Sequence, residues 1–267
     1  MNKKLCKSIG KNIVIGCIAI ICVFPIIMLT LRSFMPYNEL YSNFHLFPKR
    51  WSIIGYEKII LMDYQYYIHF WNSVFYTVCI LIGSLIISIL AGYGFSCFEF
   101  PGKRILFVFY IVLMLLPFQA TVVPQYLTIH SLGLLNHRAG VILPNLFATF
   151  GTILMTQYMQ GIDSELLDAG KIDGLSGFRL FRKLVVPLCK PAISAYIVLE
   201  FIDLWNMIEQ PKIFLSNIQL YPLSLRLGNI SNEGILAGGI IFSILPLLIF
   251  RYFRDDMIEG ISLSVIK

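Results

Sequence analysis

Charge is the scarcest commodity in this sequence. Asp, Glu, Lys and Arg make up 13% of its 267 residues, against roughly 25% in a soluble domain. Hydrophobic residues reach 57%. That balance excludes an ordinary water-soluble domain and fits a polytopic membrane protein. Other absences narrow the field further. No GxxxxGK[ST] phosphate loop occurs, because Gly102-Lys103 and Gly170-Lys171 lack the upstream glycine. None of the six cysteines (Cys6, Cys17, Cys22, Cys79, Cys97 and Cys189) forms a CxxC pair, and most lie in apolar runs. They read as small buried residues rather than disulfide or zinc ligands. His45, His69, His130 and His137 show no HExxH or other metal spacing and read as ordinary polar loop residues. Nothing pairs a nucleophile with a base, so a membrane enzyme has no support. A nucleic-acid role has no basic stripe to rest on.

What the sequence does hold is long apolar runs. Run length predicts six spans, at 13–31, 74–97, 105–127, 139–159, 192–210 and 235–253. At about 1.5 Å per residue each covers most or all of a hydrocarbon core roughly 30 Å thick. The first follows Lys3, Lys4, Lys7 and Lys11. It resembles a signal peptide, but a convincing small-residue cleavage site is lacking, so it reads as a retained anchor. With the N-terminus inside, the predicted inner segments carry 14 of the 21 Lys and Arg residues. This bias places both termini in the cytoplasm. The excess of basic residues, net +6, is explained by the same rule.

The predicted outer segment at 32–70, with the residue that follows it, carries Trp51, Tyr56, Tyr64, Tyr66, Tyr67 and Trp71. Aromatics of this kind favour the membrane–water boundary, which predicts an interfacial helix anchoring the first span. A contact surface for an extracytoplasmic partner is the alternative. Ser84, Ser88 and Gly92 recur every four residues in the second span; Gly234, Gly238, Gly239 and Ser243 open the sixth. Small residues four apart share a helix face and allow close approach of a neighbour. Pro25, Pro117, Pro124, Pro144 and Pro246 fall in or beside spans. Each removes a backbone donor and can kink its helix.

One polar stretch interrupts this apolar chain, from Asp163 to Pro191. Asp163 and Ser164 are suited to cap a short helix that includes Glu165, Asp168 and Ala169. Glu165 also complements the positive end of that helix. Asp173-Gly174 is a turn signal. Ser176 opens a second helix carrying Arg179, Arg182 and Lys183, and Pro187 and Pro191 follow before the fifth span. The result is helix, tight turn, helix, too polar for lipid and too short to fold alone. A short amphipathic helix of this kind docks into a groove on another protein.

This block resembles the EAA loop of permease subunits of binding-protein-dependent ABC importers. Asp168-Ala169-Gly170 occupies the place of the Glu-Ala-Ala triplet. Asp173-Gly174 matches the turn, and after nine intervening residues Leu184-Val185-Val186-Pro187 matches the family's ending, with Lys190-Pro191 after it. Asn72-Ser73, Phe100 to Arg104, Trp205-Asn206 with Pro211, and Arg251-Tyr252-Phe253 with Glu259-Gly260 and Lys267 extend the likeness over nearly the whole chain. They place it beside the smaller permease of maltose-type, carbohydrate-uptake systems. The chain departs from the pattern at Asp168, where Glu is usual, at Gly170, where Ala is usual, and at Met207, where an acid is common.

The resemblance implies an all-α membrane protein with the six-helix ABC importer permease fold. The expected organisation is a cytoplasmic N-terminus at 1–12, a permease domain at 13–253 holding the coupling loop at 160–191, and a cytoplasmic tail at 254–267. It implies a coupling site of Glu165, Asp168, Ala169, Gly170, Asp173, Gly174 and Pro187 that fits a cleft on a separate ATPase. Two ATPase copies with their ATP-Mg, a second homologous permease and an extracytoplasmic solute-binding protein would complete the system. This subunit would be no enzyme, would bind no cofactor, and would sit in a prokaryotic plasma membrane among lipid. The expected solute is small, uncharged and rich in hydroxyls, a sugar or oligosaccharide.

From the residues themselves, Glu200 and Asp203 stand three apart in or near the fifth span and share a helix face. Acids inside a bilayer default to functional candidates. With Trp205 and Asn206 they are candidates to line a polar translocation path. Pairing with Lys212 is the structural alternative. A proton relay in a proton-coupled secondary transporter is the rival functional reading.

Overall fold

The computed structural model describes residues 2–40, 46–228 and 234–265, with side chains for 11–40, 46–228 and 234–258. His45 and Lys267 lie outside the described residues, as do the side chains of Lys3, Lys4, Lys7 and Glu259. The chain is all helix and loop among those residues, and divides into two compact units. One comprises Met1–Tyr67 and Leu227–Ile244; the other comprises Ile68–Arg226 and Leu245–Lys267.

The principal helices are α1 (Asn2–Ser33), α2 (Tyr64–Cys97), α3 (Lys103–Leu115), α4 (Phe118–Ser131), α5 (Arg138–Asn145) and α6 (Thr149–Gln160). They continue with α7 (Ser164–Ile172), α8 (Gly177–Leu188), α9 (Lys190–Trp205), α10 (Glu209–Phe214) and α11 (Ile235–Val265). Among the described residues, four stretches are long and apolar enough to cross a membrane: Lys11–Ser33, Tyr64–Cys97, Arg138–Gln160 and Ile235–Ile258. Six result if each of two bent pairs counts as one span.

Two bent pairs refine the predicted spans at 105–127 and 192–210, and the first bends at Pro117, one of the prolines whose position predicts a kink. α3 and α4 meet at 104°. The break falls at Leu116-Pro117, with Leu116 extended at φ −70°, ψ 127° and Pro117 at φ −67°, ψ 148°. A proline disfavours helical backbone at the residue before it, so this helix stops where its ring begins. Run length does not show such a break, since the two halves together pass as one apolar run. α8 and α9 meet at 69°, and α9 ends at Trp205 rather than 210.

In the first unit, the aromatic segment folds onto the end of α1. The Ser33 and Tyr56 hydroxyls are 2.7 Å apart, and the Ser52 N–H donates to the Phe34 carbonyl at 2.8 Å. Phe34 packs beside Trp51 and Tyr56, with ring centroids 5.8 and 5.1 Å away. The expected anchoring helix is a four-residue turn, Ile54–Glu57, running into a π-turn, Lys58–Met62. The Tyr66 hydroxyl donates to the Gly238 carbonyl at 2.9 Å, so part of the small-residue stripe of α11 receives this tyrosine.

The second unit holds the interior. The expected face of Ser84, Ser88 and Gly92 on α2 is buried. A methyl at Gly92 would stand 2.5 Å from Met155 Cβ on α6, and the Tyr196 hydroxyl of α9 donates to Ser84 Oγ at 2.8 Å. Lipid tails supply no hydrophobic drive between helices, so such close van der Waals contact is what holds them together. One apolar cluster joins α6, α8 and α9 through Met155, Met159, Phe181, Val185, Cys189 and Tyr196. Another joins α2, α5, α9 and α10 through Tyr76, Val141, Leu204 and Phe214.

Candidate functional site

The polar block folds as the sequence predicts, a short helix, a tight turn and a second helix. Asp163 takes the N-cap position of α7 with extended backbone (φ −60°, ψ 129°), but its side chain makes no capping bond. Its carbonyl accepts from the N–H groups of Leu166 and Leu167 instead. The turn has a defined geometry. Gly174 stands at φ +82°. The Leu175 N–H donates to the Gly170 carbonyl and the Gly174 N–H to the Lys171 carbonyl, each at 3.0 Å. This is a Schellman ending, in which a left-handed residue lets the chain satisfy the last free carbonyls of a helix. The Leu175 side chain lies over Gly170, 3.8 Å from where a Cβ there would stand.

Gly170 is the buried pivot of α7. A methyl there would stand 2.8 Å from Leu184 and 3.1 Å from Leu180, both on α8. The departure from alanine thus allows α7 to lie close against α8. In turn α8 is rooted in the bundle, because Phe181, Val185 and Cys189 point into the core. A π-turn over Phe181–Val185 precedes Pro187, whose missing N–H removes a helical donor at that point.

The opposite side of the block is open to its surroundings. Glu165, Asp168, Ala169, Asp173, Gly174 and Pro187 are exposed. Among them stand apolar side chains, with Ile172 87% and Phe178 69% exposed. The block thus holds apolar groups out beside charges on a short helix. Asp168 bonds Lys171 of its own helix at 2.8 Å, and this hydrogen bond holds the Lys171 ammonium pKa above the usual lysine range. Both side chains are well exposed, so the pair adds little stability.

The candidate path residues divide. Asp203 and Asn206 line a cavity of about 430 Å³ beyond the end of α9, together with Phe118, Asn145, Glu209 and Gln210. Trp205 lies on the other side of its helix, fully buried, stacked on Phe201 at 5.5 Å and edge-on to Phe70 at 5.8 Å. It is a packing residue here. Glu200 is half-buried one turn below and does not line the cavity. Neither carboxylate forms a salt bridge among the described residues, with Lys212 or any other cation. Glu209, Gln210 and Asn145 carry no signal in sequence, because the cavity forms only where α10 folds back against α5.

A second polar cluster gathers around Asn72-Ser73. The Asn72 amide donates to the carbonyls of Gln219 at 2.7 Å and Tyr221 at 3.1 Å, and accepts from Arg138 at 2.9 Å. Ser73 Oγ accepts from the Leu223 N–H at 2.7 Å, and Tyr76 donates to the Leu220 carbonyl at 3.0 Å. His69 Nδ1 sits 2.8 Å from the Tyr221 carbonyl. These bonds fasten the 219–223 loop to α2. They make His69 a structural residue rather than a solvated one. Arg138 and Tyr76 were not distinguishable in sequence from other polar residues near a span end.

Comparisons with known proteins agree with this architecture. The Arabinooligosaccharides transport system permease protein AraQ of Halalkalibacterium halodurans is 29% identical over 278 residues, covering 100% of each chain. The Polygalacturonan/rhamnogalacturonan transport system permease protein YtcP of Bacillus subtilis is 32% identical over 271 residues, covering 93% of this chain and 94% of its own. Among solved structures, a chain of a bacterial ABC transporter involved in the import of the acidic polysaccharide alginate superposes with a TM-score of 0.81. It covers 96% of this chain and 97% of its own at 23% identity, a likeness of fold. A family model matches residues 84–257, which run from within α2 through the polar block to most of α11. The chain therefore belongs to the family of binding-protein-dependent transport system inner membrane components.

Proposed function

We propose that this chain is half of the translocation channel of an ATP-driven importer for a sugar or oligosaccharide. The observation that carries the proposal is the α7–α8 block, a rigid, exposed helix-turn-helix rooted in the bundle core by Phe181, Val185 and Cys189. Names of relatives support the solute class: arabinooligosaccharides, polygalacturonan and rhamnogalacturonan, and lactose are among those named.

In this reading α7 seats in a cleft of an ATPase subunit, two copies of which bind ATP-Mg. A second, homologous permease forms the other half of the channel, and an extracytoplasmic solute-binding protein delivers the sugar. The Lys and Arg bias puts both termini and the block in the cytoplasm. Closure of the ATPase pair on ATP then moves α7, and α8 transmits that displacement to α6 and α9 as a rigid body, giving alternating access. The aromatic segment and loop 219–223 face the binding protein.

A proton relay through Glu200 and Asp203 is the rival mechanism. It is tested by measuring uptake in cells whose proton gradient is collapsed while ATP is maintained. Uptake is expected to persist at more than half its normal rate. Loss of uptake with ATP intact would remove the importer reading.

Lys190, at the exit of the block, supplies a further test. Its ammonium stands 2.8 Å from Asp256 Oδ1 near the end of α11, and the Ser194 hydroxyl donates to Asp256 Oδ2 at 3.2 Å. Ion pairs that reach solvent contribute little individually. Asp256→Asn is therefore expected to lower uptake about two- to fivefold while the complex still assembles. Unchanged uptake would mean the clamp plays no part in the motion.

A further inference from the structure

We infer that the cavity beyond α9 selects against acidic sugars, and that Asp203 and Glu209 are the residues that do so. The inference deepens the proposed function and rests on its reading of this chain as a sugar importer subunit.

The cavity has about 430 Å³, room for a sugar unit or two. Its polar lining is two carboxylates, Asp203 and Glu209, and three amides, Asn145, Asn206 and Gln210, with the Phe118 ring beside them. No Lys, Arg or His lines it among the described residues. Neither carboxylate has a salt-bridge partner among those residues. Part of the amide capacity is already engaged. Asn206 donates to the Ile202 carbonyl at 2.8 Å, and Asn145 donates to the Val141 carbonyl and to the Gln210 side chain. The two carboxylates are left as the strongest acceptors facing the cavity.

Carboxylates without a counter-ion, in a cavity flanked by apolar helices, call for hydrogen-bond donors. Sugar hydroxyls are donors of that kind, and charge-assisted bonds to carboxylate are the stronger class. An aromatic ring beside them gives the apolar face of a pyranose or furanose a surface to cover. A uronate brings a carboxylate of its own. At an effective dielectric of about 20, like charges several ångströms apart disfavour binding by about tenfold after salt damping. An amino sugar, as a cation, gains by the same interaction. The solutes named for relatives include neutral oligosaccharides and polygalacturonan, so this distinction separates real alternatives.

The test uses the complete permease–ATPase complex in nanodiscs, without a solute-binding protein, so that only the channel discriminates. Three probes of equal length are titrated by saturation-transfer NMR: a neutral arabinotriose, a trigalacturonate and a glucosamine trimer. The neutral trimer is expected to bind about tenfold more tightly than the uronate, near 1.4 kcal/mol, and the cationic trimer more tightly still. That ratio is expected to shrink as salt rises from low to about 0.5 M, because exposed charges are screened. The double substitution Asp203→Asn with Glu209→Gln is expected to bring the ratio close to one. The salt series on the unaltered complex decides the matter even if the variant does not assemble. Uronate binding equal to neutral binding at low salt overturns the charge filter while leaving a sugar importer intact. Failure of the complex to take up any sugar when its binding protein is added overturns the proposed function, and the filter with it.

Discussion

Gly174→Val is expected to abolish at least nine-tenths of solute uptake while ATP hydrolysis by the assembled complex continues, a loss of roughly tenfold or more. The reason lies in backbone conformation alone. Gly174 is at φ +82°, and a side chain there would meet nothing within 4 Å. Lack of room is therefore not the obstacle. A left-handed conformation costs an ordinary residue about 1–2 kcal/mol, and a β-branched residue suffers more. The Schellman ending of α7 depends on that conformation, since it aims the Leu175 and Gly174 N–H groups at the carbonyls of Gly170 and Lys171. Without it, α7 loses its fixed angle to α8, and a push on α7 no longer reaches the bundle. Asparagine tolerates the left-handed region. Gly174→Asn is accordingly expected to retain most uptake. Parallel measurement of hydrolysis and uptake in proteoliposomes checks both variants. Normal uptake in Gly174→Val would refute the docking role of the block.

Gly92→Val is expected to prevent recovery of a folded permease, and Gly92→Ala to destabilise it by about 1–3 kcal/mol, as overpacking of a filled interior does. The methyl of an alanine would lie 2.5 Å from Met155 Cβ and 3.1 Å from the backbone at Met155 and Thr156. Those atoms belong to the body of α6 and cannot turn aside, so α2 must move away. The movement would also strain the close approach at Gly151, where an added Cβ would stand 2.5 Å from Tyr196 Cε2 and the ring is tied to Ser84. Gly94 lies two residues along the same helix with open space around it. Gly94→Ala should be neutral or slightly stabilising, because alanine favours helix by about 1 kcal/mol over glycine. Thermal unfolding of the purified complex distinguishes the pair. Equal melting temperatures for Gly92→Ala and Gly94→Ala would show that the α2–α6 contact does not hold the bundle together.

These two glycines show different degrees of legibility. Gly174 announced itself, since Asp-Gly between two polar helical stretches is a turn signal with a local cause. Gly92 announced only its face, through its spacing from Ser84 and Ser88. Which helix fills that face depends on Met155, 63 residues along the chain, and nothing local connects them. Gly170 stands in sequence only as a departure from the family's alanine. Its buried place against Leu180 and Leu184 gives it a packing reason instead.

The amino-acid order alone determined the membrane class, the number of apolar runs, the helix-turn-helix of the polar block and the family. Each of these follows from local composition, spacing or backbone preference, which act over a few residues. Only the tertiary structure decided that the 105–127 run breaks by 104° at Leu116-Pro117, that Trp205 packs inward, and that Asp203 and Asn206 share a cavity with Glu209 and Asn145. Those outcomes depend on which helices meet. In an apolar chain nearly every face is equally able to enter lipid or a neighbour, so hydropathy cannot choose between them.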